Sequence, residues 1–198
     1  MHGEAKVKPR PRDAVKTRAK ILDAAQRTFS SMDYSQAKIG DIAKGAGVDQ
    51  ALVIRYFQSK EKLFETALSA AITQRWSDLS ARIEQRLGEA DGRFGELVAE
   101  QMIYDEWSFP DPFAMAVHAS SNSRTREIAT TLLKARMVKV ISRWLGEEPS
   151  TVKATEVLAM CAGLFTFRRL LPLELAQGDC DPQLRSWFVA TVQAIADR

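Results

Sequence analysis

Residues 38–60 read KIGDIAKGAGVDQALVIRYFQSK, two short helical patterns on either side of a glycine. Ile39, Ile42, Ala43 and Ala46 recur at helical spacing on one face. Gly47 stands where the first helix must end, because a residue without a Cβ takes the left-handed conformation there without strain. Val48 plugs the corner. Asp49 follows, where a side-chain oxygen caps the open N–H groups of a second helix whose inward side is Val53, Tyr56 and Phe57. Gln50, Ala51, Leu52, Ile54 and Arg55 are left for the other faces. Exposed apolar residues beside basic ones on a short helix suit thymine methyls and sugar edges, so the pattern predicts a helix-turn-helix shaped to enter a DNA major groove.

Upstream, the spacing predicts a first helix from Asp13 to Ser31, with Asp13 as its cap and Leu22, Ala25 and Phe29 on its buried stripe. Lys16, Arg18 and Lys20 crowd its beginning, where positive charge opposes the helix dipole; an external anion relieves that conflict, and plain surface charge is the alternative. Lys6, Lys8, Arg10 and Arg12, broken up by Pro9 and Pro11, make residues 1–12 a flexible basic arm. The arm is either a solvated tail or a source of phosphate and minor-groove contacts. Residues 1–62 carry a net +6 and the remainder −3, so a polyanion is expected at the helix-turn-helix end and the acidic remainder stays off it.

TRAKILDAAQRTFSSMDYSQAKIGDIAKGAGV, followed by RYFQSKEKLF, resembles the N-terminal domain of the TetR family of bacterial transcriptional regulators over residues 13–65. The matching positions are Ile21, Leu22, Ala24, Ala25, Phe29, Tyr34, Ile42-Ala43, Gly47-Val48, Tyr56-Phe57, Ser59-Lys60 and Leu63, with Asp33 where the family usually has glycine. The resemblance implies a DNA-binding set of Lys38, Gln50, Ala51, Leu52, Ile54, Arg55, Tyr56 and Lys60. In it Lys38 and Lys60 reach phosphates, Gln50 and Ala51 face base edges, and Arg55 takes a guanine or a phosphate. Leu52, Ile54 and Tyr56 replace residues that are often threonine, tyrosine and histidine in the family, so no relative's operator sequence carries over.

Beyond residue 65 the chain reads as helices throughout, and the fold class is all-α: an N-terminal three-helix helix-turn-helix domain (13–65), joined by a long helix to a C-terminal dimerisation and ligand-binding domain (66–198). The joining helix runs from Ser59 to Leu87, with Leu63, Leu68, Ile72, Trp76, Leu79 and Ile83 on its stripe. In the family, displacement of this helix by ligand changes the spacing of paired reading heads. Further helices are expected over Arg93–Trp107, Asp111–Ser121, Ser123–Leu145, Ser150–Leu171 and Asp181–Asp197, bordered by Gly88 and Gly92, Pro110, Pro112, Gly146–Pro149, Pro172 and Gly178–Pro182.

One helix-turn-helix contacts too few base pairs for specific binding, which calls for a homodimer on a palindromic operator of double-stranded DNA. The apolar last two helices offer the pairing surface through Leu158, Cys161, Phe165, Leu184, Trp187, Phe188, Val192 and Ile195; filling the monomer's own core is the alternative. A pocket for a small hydrophobic ligand is expected among Met102, Trp107, Phe109, Phe113, Met115, His118, Met137 and Phe165, with Tyr104 and Trp144 nearby, against the alternative that these are ordinary core. Arg168 and Arg169 face an anionic ligand, pair with Glu174 or cap a helix end.

Other classes fall away. There is no Gly-rich phosphate loop, HExxH or nucleophile elbow, and only two histidines, so no catalytic residues, cofactor or metal are expected. Cys161 and Cys180 are too few for a disulfide framework and read as reduced thiols, with a redox sensor as the alternative. With 45% hydrophobic residues and no apolar run near the roughly 18 residues of a membrane span, a cytoplasmic protein is expected. The expected function is a DNA-binding transcriptional regulator, a repressor released by a small molecule; the alternative is a regulator without such a pocket, controlled by a protein partner or acting as an activator.

Overall fold

The computed structural model describes residues 11–87, 93–103, 110–146 and 151–198, and within them every regular element is a helix. The reading region holds α1 (Pro11–Ser31), α2 (Ile39–Ala46) and α3 (Gln50–Phe57), and α4 (Lys60–Leu87) leads out of it. Then come α5 (Phe94–Ile103), α6 (Pro112–His118), α7 (Ser123–Leu133), α8 (Lys139–Trp144), α9 (Thr151–Phe165) and α10 (Pro182–Asp197). A π-helical turn at Lys134–Val138 splices α7 to α8, a second at Thr166–Leu170 prolongs α9, and Glu174–Ala176 is a short 3-10 turn. No described helix is long and apolar enough to cross a membrane.

Side chains set most of the borders. Asp111 accepts from the N–H groups of Phe113 and Ala114, Asn122 from Arg124 and Thr125, and Asp181 from Gln183 and Leu184, each opening a helix where the sequence predicts one. At the other end the expectation fails by two residues: α1 begins at Pro11, and Asp13 sits in its first turn instead of capping it. A proline there gives up only an N–H that has no helical partner, so it opens the helix, and Pro11 and Arg12 are not part of an arm. The rest of the arm (1–10), the expected extension of α5 from 104 to Trp107, and the breaks at 88–92 and 147–150 lie outside the described residues.

Two apolar cores stack along α4. The first gathers Ile21, Phe29, Ile42, Val53, Phe57, Phe64 and Leu68 under the reading helices, but it also takes in Met115, Ala119, Ala129 and Met137 from α6, α7 and the π-turn. The second holds Val98, Met102, Ile141, Val157, Phe165, Phe188 and Val192 between α5, α8, α9 and α10. Trp76, Phe113 and Leu158 pack against both. At Gly95 the backbones of α5 and α10 come so close that a Cβ would lie 2.4 Å from the Val189 carbonyl oxygen.

This second core corrects the expected pairing surface. Cys161, Phe165, Phe188, Val192 and Ile195 are at most 8% exposed and fill the protomer's interior. Leu158 and Leu184 are half-buried against the same core, and of the eight only Trp187 is open, at 55%. The apolar stripe of an amphipathic helix turns to its own core first, so the outward face of α9 and α10 is the other one: Val152, Ala159, Trp187, Ala190 and Ala194.

Candidate nucleic-acid interface and regulatory cavity

α2 and α3 meet at the turn that the sequence specifies. Gly47 adopts φ 66° and its N–H returns to the end of α2. Asp49 stands in an extended conformation, with its carboxylate accepting from the Ala51 N–H at 2.7 Å. Val53 and Phe57 are buried, while Gln50, Ala51, Ile54 and Arg55 are exposed on the far side of α3; Leu52 and Tyr56 are half-buried at its edges. The Arg55 guanidinium stacks over the Tyr56 ring, 5.6 Å from its centroid, which steadies a long side chain that solvent would leave free. Behind α3, Arg18 of α1 covers the Phe57 ring at 5.0 Å. Lys38 is exposed at the start of α2, where its side chain makes no cap.

Lys60 departs from the expected outward reach. Its ammonium lies over the Tyr34 ring, 4.1 Å from the centroid, and donates to the Tyr34 carbonyl oxygen. Burial holds its pKa below the ordinary lysine value, partly countered by Glu61 beside it. Ser59 accepts from the Lys62 N–H at 3.1 Å and so opens α4. Tyr34 itself stacks on Phe29 and meets Phe64 edge-on, so Lys60 ties the head of α4 to the turn after α1.

The family model for bacterial regulatory proteins of the tetR family matches residues 21–67, and the model of the tetracyclin repressor-like C-terminal domain matches residues 92–195. The chain belongs to the TetR family. It is a DNA-binding transcriptional regulator. The regulator BetI of Cronobacter sakazakii is 22% identical over 157 residues, covering 75% of this chain and 77% of that one. AcrR of Shigella flexneri is 42% identical over 52 residues, 26% of this chain and 24% of its own, so identity can be high over a short stretch and low over the whole length. A regulator from Saccharomonospora viridis, solved in complex with choline, superposes with a TM-score of 0.67 at 18% identity, over 90% of this chain and 96% of that one. A TetR-family regulator from Streptomyces coelicolor A3 gives 0.54 at 23% identity, over 98% and 100%.

In this TetR-family chain the middle helices form a partly open cavity of about 50 Å³ with almost wholly apolar walls. Arg75, Trp76 and Ile83 of α4, Val98, Gln101 and Met102 of α5, Pro112 and Phe113 of α6, Ile141 and Trp144 of α8, and Val157, Leu158 and Cys161 of α9 line it. Of the expected pocket residues, Met102 and Phe113 are on its wall, and Phe165 stands behind, stacked on Phe113 at 5.5 Å. Met115 and Met137 are not; both are fully buried in the core under the reading helices, because a flexible thioether fills that irregular seam. His118 lies away at the end of α6, with its Nδ1 3.8 Å from Asp33. Trp107 and Phe109 lie outside the described residues. Trp76, stacked on Trp144 at 5.5 Å, stood on the predicted stripe of α4; nothing in a helical period tells a wall from a core, so sequence alone did not mark it.

The remaining expectations sort by contact. The Arg168 guanidinium bonds the carbonyls of Ile103, Ala176 and Gly178, satisfying the end of α5 and the turn before α10. Burial pushes the Cys161 thiol up to about 12, the opposite of what a reactive thiolate needs. Cys180 is raised as well, by partial burial against the pull of Arg168.

Both ends of α6 are tied to the reading region. The Asp111 N–H donates to Ser30 Oγ at 3.2 Å, and the Tyr34 N–H donates to the His118 carbonyl oxygen at 3.0 Å. One seven-residue helix therefore touches the cavity through Pro112 and Phe113 and touches α1 and its following turn through its two ends.

Proposed function

We propose that this protein is a repressor: a homodimer whose two α3 helices read a palindromic operator, released by a small apolar ligand in the α4–α9 cavity. Residues 13–65 read, and residues 66–198 pair and sense. The observation that carries the DNA assignment is the outward face of α3, where Gln50, Ala51, Ile54 and Arg55 stand together on a helix fixed at both ends. Gln50 and Arg55 supply hydrogen bonds to bases or phosphates, Ala51 and Ile54 supply methyl contacts, and Leu52 and Tyr56 fill the groove edge. Lys38 meets a phosphate. Lys60 acts one step back, holding α4 to the Tyr34 turn. Pairing uses the outer face of α9 and α10, where Trp187, 55% exposed among alanines, is the large anchor.

Release follows from size. A cavity of about 50 Å³ is smaller than the roughly 150 Å³ that houses a benzene ring, so an entering ligand has to displace a wall. Phe113 sits on a wall helix of only seven residues, and α6 passes any shift to Ser30 and Tyr34. The choline of the S. viridis regulator does not carry over: Arg75 lines this cavity, and no carboxylate is among the described residues that do. The same small volume supports one second reading, control by a protein partner; operator release by a small molecule with no added protein decides between them.

Footprinting the purified protein on DNA flanking its own gene, at two salt concentrations, tests the reading. Protection of a two-fold symmetric site that fades steeply with salt is expected, with Arg55→Ala weakening it about ten- to a hundredfold. An unaltered footprint from Arg55→Ala would remove α3 from the interface.

A further inference from the structure

The cavity walls carry information about what they would accept, because their polar groups are few: Arg75, the Trp144 indole, and Gln101, whose amide both donates and accepts. The Trp144 indole lines the cavity, and its Nε1 is fully buried with no hydrogen-bond partner among the described residues. A buried N–H without an acceptor is uncommon in folded proteins and calls for a reason. An indole nitrogen only donates, and Arg75, on the same wall, only donates. Asp111, the carboxylate whose charge Arg75 offsets, already accepts from the N–H groups of Phe113 and Ala114.

The aromatic rings are stacked in pairs. A cation needs an open aromatic face, usually with negative charge nearby. Here Trp76 and Trp144 cover each other at 5.5 Å and an interplanar angle of 18°, and Phe113 is covered by Phe165 at 5.5 Å and 27°. Each stacked ring keeps its outer face, so what disfavours a cation here is charge: Arg75 lines the cavity, and no carboxylate is among the described residues that do.

We propose that the cavity takes an uncharged, ring-bearing apolar ligand whose carbonyl-type oxygen accepts the Trp144 indole N–H, and that it rejects quaternary ammonium ligands. This rests on the ligand-responsive reading above and narrows it to a chemical class. It also gives the bound state something the empty one lacks, a partner for a buried donor.

Three probes share a phenyl ring with a small substituent and differ in the relevant chemistry: acetophenone has the acceptor, cumene has none, and phenyltrimethylammonium carries a positive charge. Their binding to the full-length protein is measured by calorimetry, and by the indole N–H resonances of ¹⁵N-labelled protein, whose four tryptophans give four signals. Acetophenone should bind about fivefold more tightly than cumene and move one indole signal downfield, the one missing from Trp144→Phe. Phenyltrimethylammonium should bind at least about tenfold more weakly than acetophenone. In Trp144→Phe the preference for acetophenone should vanish while cumene binds as before, and Trp76→Phe should keep the preference. The wild-type shift needs no variant to fold. Equal binding of acetophenone and cumene, a preference that survives Trp144→Phe, or tightest binding of the ammonium would overturn the acceptor and leave ligand control standing. Binding of none of the three would overturn both.

Discussion

Phe29, Tyr34 and Phe64 pack as a closed trio with ring centroids 5.3 to 5.8 Å apart, and none is more than 5% exposed. Trp76, Trp144, Phe113 and Phe165 instead pair two by two around a void, and the first three stay half-buried. The aromatic rings of the reading region thus close on one another, whereas the regulatory region keeps a gap between its walls. Rigidity is stored where DNA geometry has to be held. Deformability is stored where a ligand has to be felt.

Three substitutions test how deep that difference runs. Gly95→Ala is expected to be the most damaging, since its new Cβ meets backbone at 2.4 Å and α5 has to part from α10. A loss of about 2–3 kcal/mol is expected, a fall in the unfolding midpoint of roughly 5–10 °C, with hydrogen-exchange protection lost first in α5 and α10 and kept in α2 and α3. Uniform loss across the chain would erase the contrast. Asp49→Ala removes the side chain that opens α3 and should cost about 1 kcal/mol, with faster amide exchange at Ala51 and Asp49→Asn close to wild type. If Ala51 exchanged no faster, the cap would not be what fixes α3.

The smallest effect concerns Asp111, which joins the two regions. Burial raises its pKa above the ordinary 3.8, against the pull of its two N–H donors, Arg75 and Arg169. A carboxylic acid whose folded pKa exceeds its unfolded one loses stability as pH rises through that interval. Asp111→Asn keeps an oxygen to accept both N–H groups, so it should be more stable than wild type at neutral pH. The gain should shrink to nothing as pH falls through the aspartate range. Thermal unfolding at pH 7 and pH 4 checks this; a gain that persists in acid would trace to packing instead.

Much of the reading region was legible because its instructions are local. Gly47, Asp49 and the stripes through Ile42, Val53 and Phe57 each act within one turn of chain, and each adopts the predicted role. Lys60 has a contact the sequence did not announce, because its partner, the Tyr34 carbonyl, is a backbone group 26 residues away. The regulatory helices were legible as helices and not as surfaces. Phe188 and Trp187 are neighbours in sequence, yet one is 1% and the other 55% exposed, because only Phe188 lies on the face of α10 that packs on the second core. The π-turns at Lys134–Val138 and Thr166–Leu170 were likewise unreadable, since one extra residue in a turn leaves the helical pattern almost intact.

The core that runs from Phe29 and Phe64 to Met115, Ala119, Ala129 and Met137 bears on how such proteins can be recombined. A chimaera cut at residue 65 would divide that core and leave Met115 and Met137, both fully buried here, facing water or a foreign surface. A workable transplant of these reading helices onto another sensor has to carry α6, α7 and the π-turn after it, or redesign the recipient's seam to receive them. The module that can be exchanged is larger than the module that reads.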